Sequence, residues 1–101
     1  MAVSFNEVVS GTIEPAIERD VYLFEASAGD LVFVSVVPVI DNFDPDIDIW
    51  GPDGTRHCGT EVVNSSAQFS CPIEADGIHQ LMIGDRGLND VSDYDLFLQL
   101  Q

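Results

Sequence analysis

The sequence predicts an all-β fold, an antiparallel β-sandwich of the jelly-roll type with about eight short strands. Two observations lead to this prediction. Short runs rich in valine, isoleucine and aromatic residues alternate with turn residues roughly every ten positions. No window repeats apolar residues at the three- and four-residue spacing of an amphipathic helix, so the turns separate strands.

The strands follow one another along the whole chain. Sharp turns are predicted at Ser27-Ala28-Gly29-Asp30 and at Gly51-Pro52-Asp53-Gly54, because glycine, proline and aspartate favour turn conformations. In chain order, the predicted strands are one or two within 3–13, then 20–26, 31–37, 46–50, 55–57, 67–70, 78–83 and 93–100. At 101 residues, with 46% apolar residues, the chain is predicted to be one domain, residues 1–101, with one core.

The charge balance excludes several classes of partner. Eighteen acidic residues face three arginines, which gives a formal net charge of −15. Such a chain repels the phosphates of nucleic acids and the headgroups of anionic membranes. No apolar run is long enough to span a bilayer, so we expect neither nucleic-acid binding nor membrane insertion.

The two cysteines, Cys58 and Cys71, are predicted to form a disulfide bond. Short β-prone segments flank a polar, turn-rich stretch between them, and a hairpin of these segments would bring the two side chains within bonding distance. A disulfide indicates an oxidising compartment. The alternative reading is two unpaired buried thiols.

Five segments carry a distributed signature in a fixed order. They are Asp20-Val21-Tyr22-Leu23-Phe24, Ala28-Gly29-Asp30-Leu31, the hairpin 43–54, the segment 75–83, and Ser92-Asp93-Tyr94-Asp95-Leu96. From Gly11 onward the chain therefore resembles the bacterial pre-peptidase C-terminal domain, a β-sandwich appended to secreted proteases and other exported proteins.

The resemblance implies a non-catalytic accessory module that is secreted or held at the surface of a bacterial or archaeal cell. Its role would be substrate binding, secretion or maturation of an attached hydrolase. The implied partners are a protein or an insoluble polymeric substrate, together with an attached protease domain.

Calcium is the one cofactor that the sequence suggests, and we expect no organic cofactor. The candidate ligands are Asp20, Asp41, Asp44, Asp46 and Asp48. Hard cations prefer carboxylate oxygens of this kind, and Asp20 matches an acid near the calcium site of some family members. The Glu-Pro-Asn-Asp-like segment of those members is absent here, and simple solvation of the acids is the competing reading. A second acidic group comprises Asp85, Asn89, Asp90, Asp93 and Asp95.

The sequence contains no pattern of catalytic residues. Ser70 or Ser92 would need His57 or His79 as a base, and no local motif supports any of these pairings. The alternation of the strands instead separates an interior from an exterior set of apolar side chains. The interior set is Tyr22, Phe24, Val32, Val34, Val36, Ile47, Ile49, Leu81, Ile83, Tyr94, Leu96 and Leu98. Leu23, Phe33 and Phe97 are assigned to an outer sheet face, with Trp50 on an outer face beside the acids.

An exposed patch of this kind usually marks a contact surface. The sequence therefore favours a binding or accessory module. The alternative is a structural subunit of a cell or virion surface that self-associates through the same side chains.

Overall fold

The computed structural model describes residues 2–13, 19–39, 45–61, 67–85 and 92–101. Within these ranges the chain forms β-strands and no helix, and therefore no helix that could cross a membrane. The eight strands of the described residues are β1 Val8–Ile13, β2 Arg19–Ala26, β3 Leu31–Pro38, β4 Pro45–Trp50, β5 Arg56–Glu61, β6 Ala67–Pro72, β7 Gly77–Asp85 and β8 Ser92–Leu100.

The described strands make two antiparallel four-stranded sheets. The first sheet has the order β1-β8-β3-β6 and the second the order β2-β7-β4-β5. Successive strands fall in alternate sheets except β4 and β5, which pair with each other within the second sheet. This is the connectivity of a jelly roll. The predicted fold class is confirmed.

The core lies between the two sheets and follows the strand alternation. In β4, for example, Ile47 and Ile49 are fully buried, whereas Asp46, Asp48 and Trp50 point outward and are half-buried. This pattern arises because successive side chains of a strand point to opposite faces. All the side chains that the sequence assigns to the interior are buried, namely Tyr22, Phe24, Val32, Val34, Val36, Ile47, Ile49, Leu81, Ile83, Tyr94, Leu96 and Leu98.

The N-terminal segment ties the two sheets together ahead of β1. Val3 N donates to Leu23 O in the second sheet, and Asn6 N donates to Leu98 O in the first. Asn6 adopts a φ of 63°, a left-handed conformation that asparagine tolerates better than most residues. Between these contacts the ring of Phe5 packs edge-on against Phe24, with ring centroids 6.1 Å apart.

The disulfide prediction is confirmed, but its structural setting differs from the predicted one. Cys58 and Cys71 are bonded, with their Cα atoms 6.1 Å apart. Their strands do not form a hairpin, because β5 is the edge strand of the second sheet and β6 the edge strand of the first. The disulfide therefore joins the two layers of the sandwich.

Candidate functional site

Arginines cover the acidic outer face of the second sheet. Arg19 Nη1 lies 3.4 Å from Asp46 Oδ2, and Arg56 Nε donates to Asp48 Oδ1 over 2.7 Å. The strand register brings Arg19 and Asp46 close together, because Arg19 of β2 and Asp46 of β4 both lie opposite Gly84 of β7. The two arginines thus relieve the repulsion between Asp46 and Asp48, which share one face of β4.

Glycine makes room for each of these arginines. A Cβ atom at Gly84 would approach Arg19 Nη1 to 2.8 Å. At Gly59, which lies opposite Asp48, a Cβ atom would overlap the Arg56 guanidinium and the Ile47 carbonyl oxygen. The two arginines therefore lie flat across the sheet, on strand positions that have no side chain of their own.

Asp20 has a different role, at the junction of the two sheets. Tyr94 of the first sheet donates its hydroxyl to Asp20 Oδ2 of the second. The Tyr22 hydroxyl lies 2.5 Å from the Tyr94 hydroxyl and, since the Tyr94 proton is used on Asp20, Tyr22 is the donor in this pair. Gly11 allows the arrangement, because a Cβ atom there would collide with both hydroxyls. We call Asp20, Tyr94 and Tyr22 the tyrosine relay.

Both tyrosines of the relay are hard to ionise. Burial is the main reason that the pKa of Tyr94 lies far above its usual value, and its hydrogen bonds to Asp20 and Tyr22 add to the effect. Burial and the charge of Asp20 raise the pKa of Tyr22, although its hydrogen bond to Tyr94 acts in the opposite direction. The relay is therefore a neutral pair of phenols bound to one carboxylate.

The proposed calcium ligands do not converge in the described structure. Asp46 and Asp48 are engaged by arginines, and Asp20 accepts from Tyr94. Across the described ranges, no three Asp, Glu, His or Cys side chains lie close enough together to hold a metal ion. Asp41 and Asp44 lie outside these ranges, as do Asn89 and Asp90 of the second acidic group. The described residues do not form a calcium cage, and calcium binding stays a prediction from sequence.

The predicted contact residues lie on two different faces. Phe33 and Phe97 lie on the outer face of the first sheet, whereas Leu23 and Trp50 share a row of the second sheet with Gln80 between them. Leu23 is separated from Phe33 because β2 pairs with β7 and not with a strand of the first sheet. All four side chains are half-buried.

The outer face of the first sheet carries a group of apolar side chains around Ser35, which lies directly opposite Phe97, and we call this group the outer patch. Val8 lies directly opposite Phe97, and Phe33 and Val37 are the diagonal neighbours of Phe97 on β3. Diagonal neighbours are roughly 7–8 Å apart, within reach of large side chains. The outer patch consists of Val8, Leu31, Phe33, Val37 and Phe97. Val8 is 63% exposed, Val37 45% and Leu31 39%, so these side chains are not part of the core.

Two oriented carboxylates border the outer patch. Ser10 Oγ donates to Asp95 Oδ1 and Thr12 Oγ1 donates to Asp93 Oδ1, both over 2.7 Å. Each pair is directly opposite in the register of β1 and β8. Sequence reasoning placed these aspartates in a loose acidic group. The alternation of Ser10 and Thr12 is the corresponding signal in the sequence, but it identifies these hydrogen bonds only once β1 is known to pair with β8.

The described part of the chain shows no catalytic arrangement. His79 is fully buried, stacks on Phe24 and has Nδ1 3.0 Å from Gly77 O, while His57 packs edge-on against it. His79 lies on the same face of β7 as Leu81 and Ile83, which are also fully buried. Ser70 Oγ donates to Gln101 and Ser92 Oγ to the Asp93 carbonyl oxygen. No pocket is found within the described ranges.

Comparison with known proteins identifies the fold. No family model matches the sequence, and no curated protein does. The pre-peptidase C-terminal domain of a collagenase from Bacillus anthracis matches with a TM-score of 0.75 at 16% identity, over 97% of this chain and 92% of that one.

Two PliG proteins, periplasmic inhibitors of g-type lysozyme, also match. The one from Salmonella Typhimurium has a TM-score of 0.67 at 22% identity, over 100% of this chain and 96% of that one. The one from Aeromonas hydrophila has a TM-score of 0.68 at 14% identity, over 99% and 94%. The chain therefore has the β-sandwich fold of pre-peptidase C-terminal domains, and the resemblance seen in sequence is confirmed at the level of the fold.

Proposed function

We propose that the chain is an exported, non-catalytic module that binds a partner protein through the outer patch. The observation that carries the proposal is the exposure of Val8 and Val37 beside Phe33 and Phe97, on a sheet face that alternation usually leaves polar. Burying such side chains against a partner stabilises a complex by about 1.5–3 kcal/mol each before the costs of association.

Two further findings support this proposal. The solved structures of the same fold are described as a domain of a collagenase and as inhibitors of g-type lysozyme, so one protein of this fold has another protein as its target. The disulfide between Cys58 and Cys71 supports export, since such bonds persist in oxidising compartments. An accessory role beside a secreted hydrolase, in substrate binding, secretion or maturation, is compatible with the same surface.

A second copy of the chain is a poorer partner for the outer patch. Two copies would each bring a net charge of −15 into contact, and this repulsion opposes the apolar attraction at moderate salt. A self-associating surface subunit is therefore the competing function, and the oligomeric state of the chain tests it.

The experiment compares three single variants of the full chain. Val8→Asp and Val37→Asp place a charge in the outer patch at exposed positions, so the fold should survive. Ile78→Asp is the matched control, because Ile78 is 50% exposed but lies on the outer face of the second sheet. Binding is measured with g-type lysozyme by inhibition of its activity and with insoluble collagen by sedimentation, and light scattering gives the oligomeric state.

We expect Val8→Asp and Val37→Asp to weaken binding to one of these probes by about tenfold or more, and Ile78→Asp to leave it unchanged. Equal losses in all three variants, or none in the two patch variants, would contradict the proposal. A wild-type dimer that Val8→Asp converts to a folded monomer would favour the self-associating subunit.

A further inference from the structure

Two aspartates at the margin of the outer patch are held in a fixed orientation, which a purely apolar contact surface does not require. Asp93 and Asp95 lie two residues apart on β8 and point to the same side of the sheet, roughly 7 Å from one another. Both are exposed, and in the described structure the Oδ1 atom of each accepts from a hydroxyl of β1. These hydroxyls hold the carboxylates in one orientation before any partner arrives.

The two arginines of the described residues are on the opposite side of the sandwich. Among the described residues, the two arginines lie on the second sheet, where Arg19 contacts Asp46 and Arg56 contacts Asp48. The outer face of the first sheet thus has oriented carboxylates and no arginine in the described structure. This separation gives the two outer faces different electrostatic properties.

We infer that the outer patch docks a cationic partner protein, whose apolar side chains contact Val8 and Phe97 while two of its arginine or lysine side chains bind Asp93 and Asp95. The inference rests on the proposed function and specifies the chemistry of the partner. Charge complementarity selects this occupant, because a chain of net charge −15 attracts cationic proteins and steers their approach.

The geometry indicates what the partner must present. Asp95 lies opposite Ser10, one step along the face from the opposed pair Val8 and Phe97, and Asp93 lies one step further. A partner strand that presents two cations and then two apolar side chains on one face would place them over Asp93, Asp95, the Val8 and Phe97 pair, and then Phe33, which lies opposite Gln99. No hydrogen bond within the described residues uses the second oxygen of either carboxylate, and a guanidinium can donate two parallel hydrogen bonds to a carboxylate.

The test uses a synthetic strand peptide whose one face carries two arginines followed by leucine and phenylalanine. Its control is the same peptide with citrulline, which is uncharged and similar in shape, in place of arginine. Each peptide is titrated into the isotopically labelled full chain, and amide chemical shifts locate and quantify binding. The variant Asp93→Asn/Asp95→Asn keeps an acceptor oxygen for Ser10 and Thr12, so it should fold.

The matched control variant is Glu25→Gln/Glu74→Gln. It removes the same two charges from exposed positions away from the first sheet's outer face, one on β2 and one in the turn after β6. We expect shifts to cluster at Val8, Asp93, Asp95 and Phe97. Asp93→Asn/Asp95→Asn should weaken binding by about fivefold, the effect of two exposed ion pairs, and citrulline should have a similar effect. Glu25→Gln/Glu74→Gln should change it less than about twofold.

The results separate this inference from the proposed function. If the two double variants weaken binding equally, or if arginine and citrulline peptides bind alike, the specific role of Asp93 and Asp95 is overturned while the outer patch remains a binding surface. If Val8→Asp leaves both peptide and protein binding intact, the proposed function fails as well. The absence of any shift on this face at millimolar arginine peptide would overturn the inference.

Discussion

At the scale of single residues, the tyrosine relay is the most specific polar feature between the two sheets. Tyr94 holds the central position, since it donates to Asp20 and accepts from Tyr22. Tyr94→Phe removes both hydrogen bonds and leaves two polar groups without this partner, so we expect a loss of about 1–3 kcal/mol in the free energy of unfolding. Tyr22→Phe removes only the terminal donor and should cost about 0.5–1.5 kcal/mol. Urea unfolding measures both, and the reverse order would contradict the assigned donor direction.

The raised pKa values of Tyr22 and Tyr94 predict that the free energy of unfolding falls at alkaline pH. The pKa of each is raised in the folded state, so the folded chain keeps protons that the unfolded chain loses. Their stabilising contribution is fully present below about pH 10 and is lost as the pH rises above it, with a slope of up to about 1.4 kcal/mol per pH unit for each tyrosine.

This alkaline prediction can be tested cleanly because few other groups titrate in that range. The sequence has no lysine, and both cysteines are bonded to each other. Unfolding measured from pH 9 to pH 11.5 should therefore report on Tyr22 and Tyr94, and the slope should be about half as steep in Tyr94→Phe. An equal slope in the variant would assign the pH dependence to other groups.

At the scale of strands, the disulfide links edges that hydrogen bonds do not join. Cys58 lies on β5 of the second sheet and Cys71 on β6 of the first. Replacing both by alanine should lower the free energy of unfolding by about 3 kcal/mol, the entropy of closing a loop of this length. Denaturant unfolding with and without a reducing agent checks this: the reductant should destabilise the wild type and leave the double variant unchanged. A wild type insensitive to full reduction would contradict the prediction.

The same strands show what could be predicted from sequence. Alternation correctly predicted which residues of β2, β4, β7 and β8 are buried, because it is a local property of each strand. It did not predict that β5 and β6 belong to different sheets, since neighbouring strands pair with each other in most folds and a hairpin was the simpler expectation. Leu23 was placed on the face of Phe33 for the same reason, because the partner strand decides the sheet.

The candidate site was predictable only in part. Asp93 and Asp95 were recognised as acids and Phe97 as an outward aromatic residue, but their common surface with Val8 depends on pairing between β1 and β8, from opposite ends of the chain. The tyrosine relay similarly joins residues 74 positions apart. Such long-range register is set by the whole set of strands and is not encoded in any short segment.

At the scale of the whole molecule, the excess of negative charge is the main electrostatic influence on the stability of the fold. A net charge of −15 acts within a radius of gyration of only 12.7 Å. The Debye length is about 10 Å at 0.1 M salt and about 3 Å at 1 M, so at low salt most of the acids repel one another across the molecule and at high salt only close neighbours do. Unfolding separates these charges, and their repulsion therefore favours the unfolded chain in dilute buffer.

We accordingly expect the thermal midpoint to rise with sodium chloride concentration at neutral pH, most steeply below about 0.2 M, where the screening length changes most. Arg19 and Arg56 would lose some of their attraction to Asp46 and Asp48 over the same range, but two exposed ion pairs contribute little compared with so large an excess of negative charge.

A parallel series in calcium chloride at equal ionic strength separates screening from binding. Because a ligand of the native state stabilises it by mass action, a larger rise in calcium would indicate a specific calcium site. Identical curves would assign the stabilisation to screening, and a midpoint that stays flat or falls with sodium chloride would show that the acids are already compensated in the folded chain.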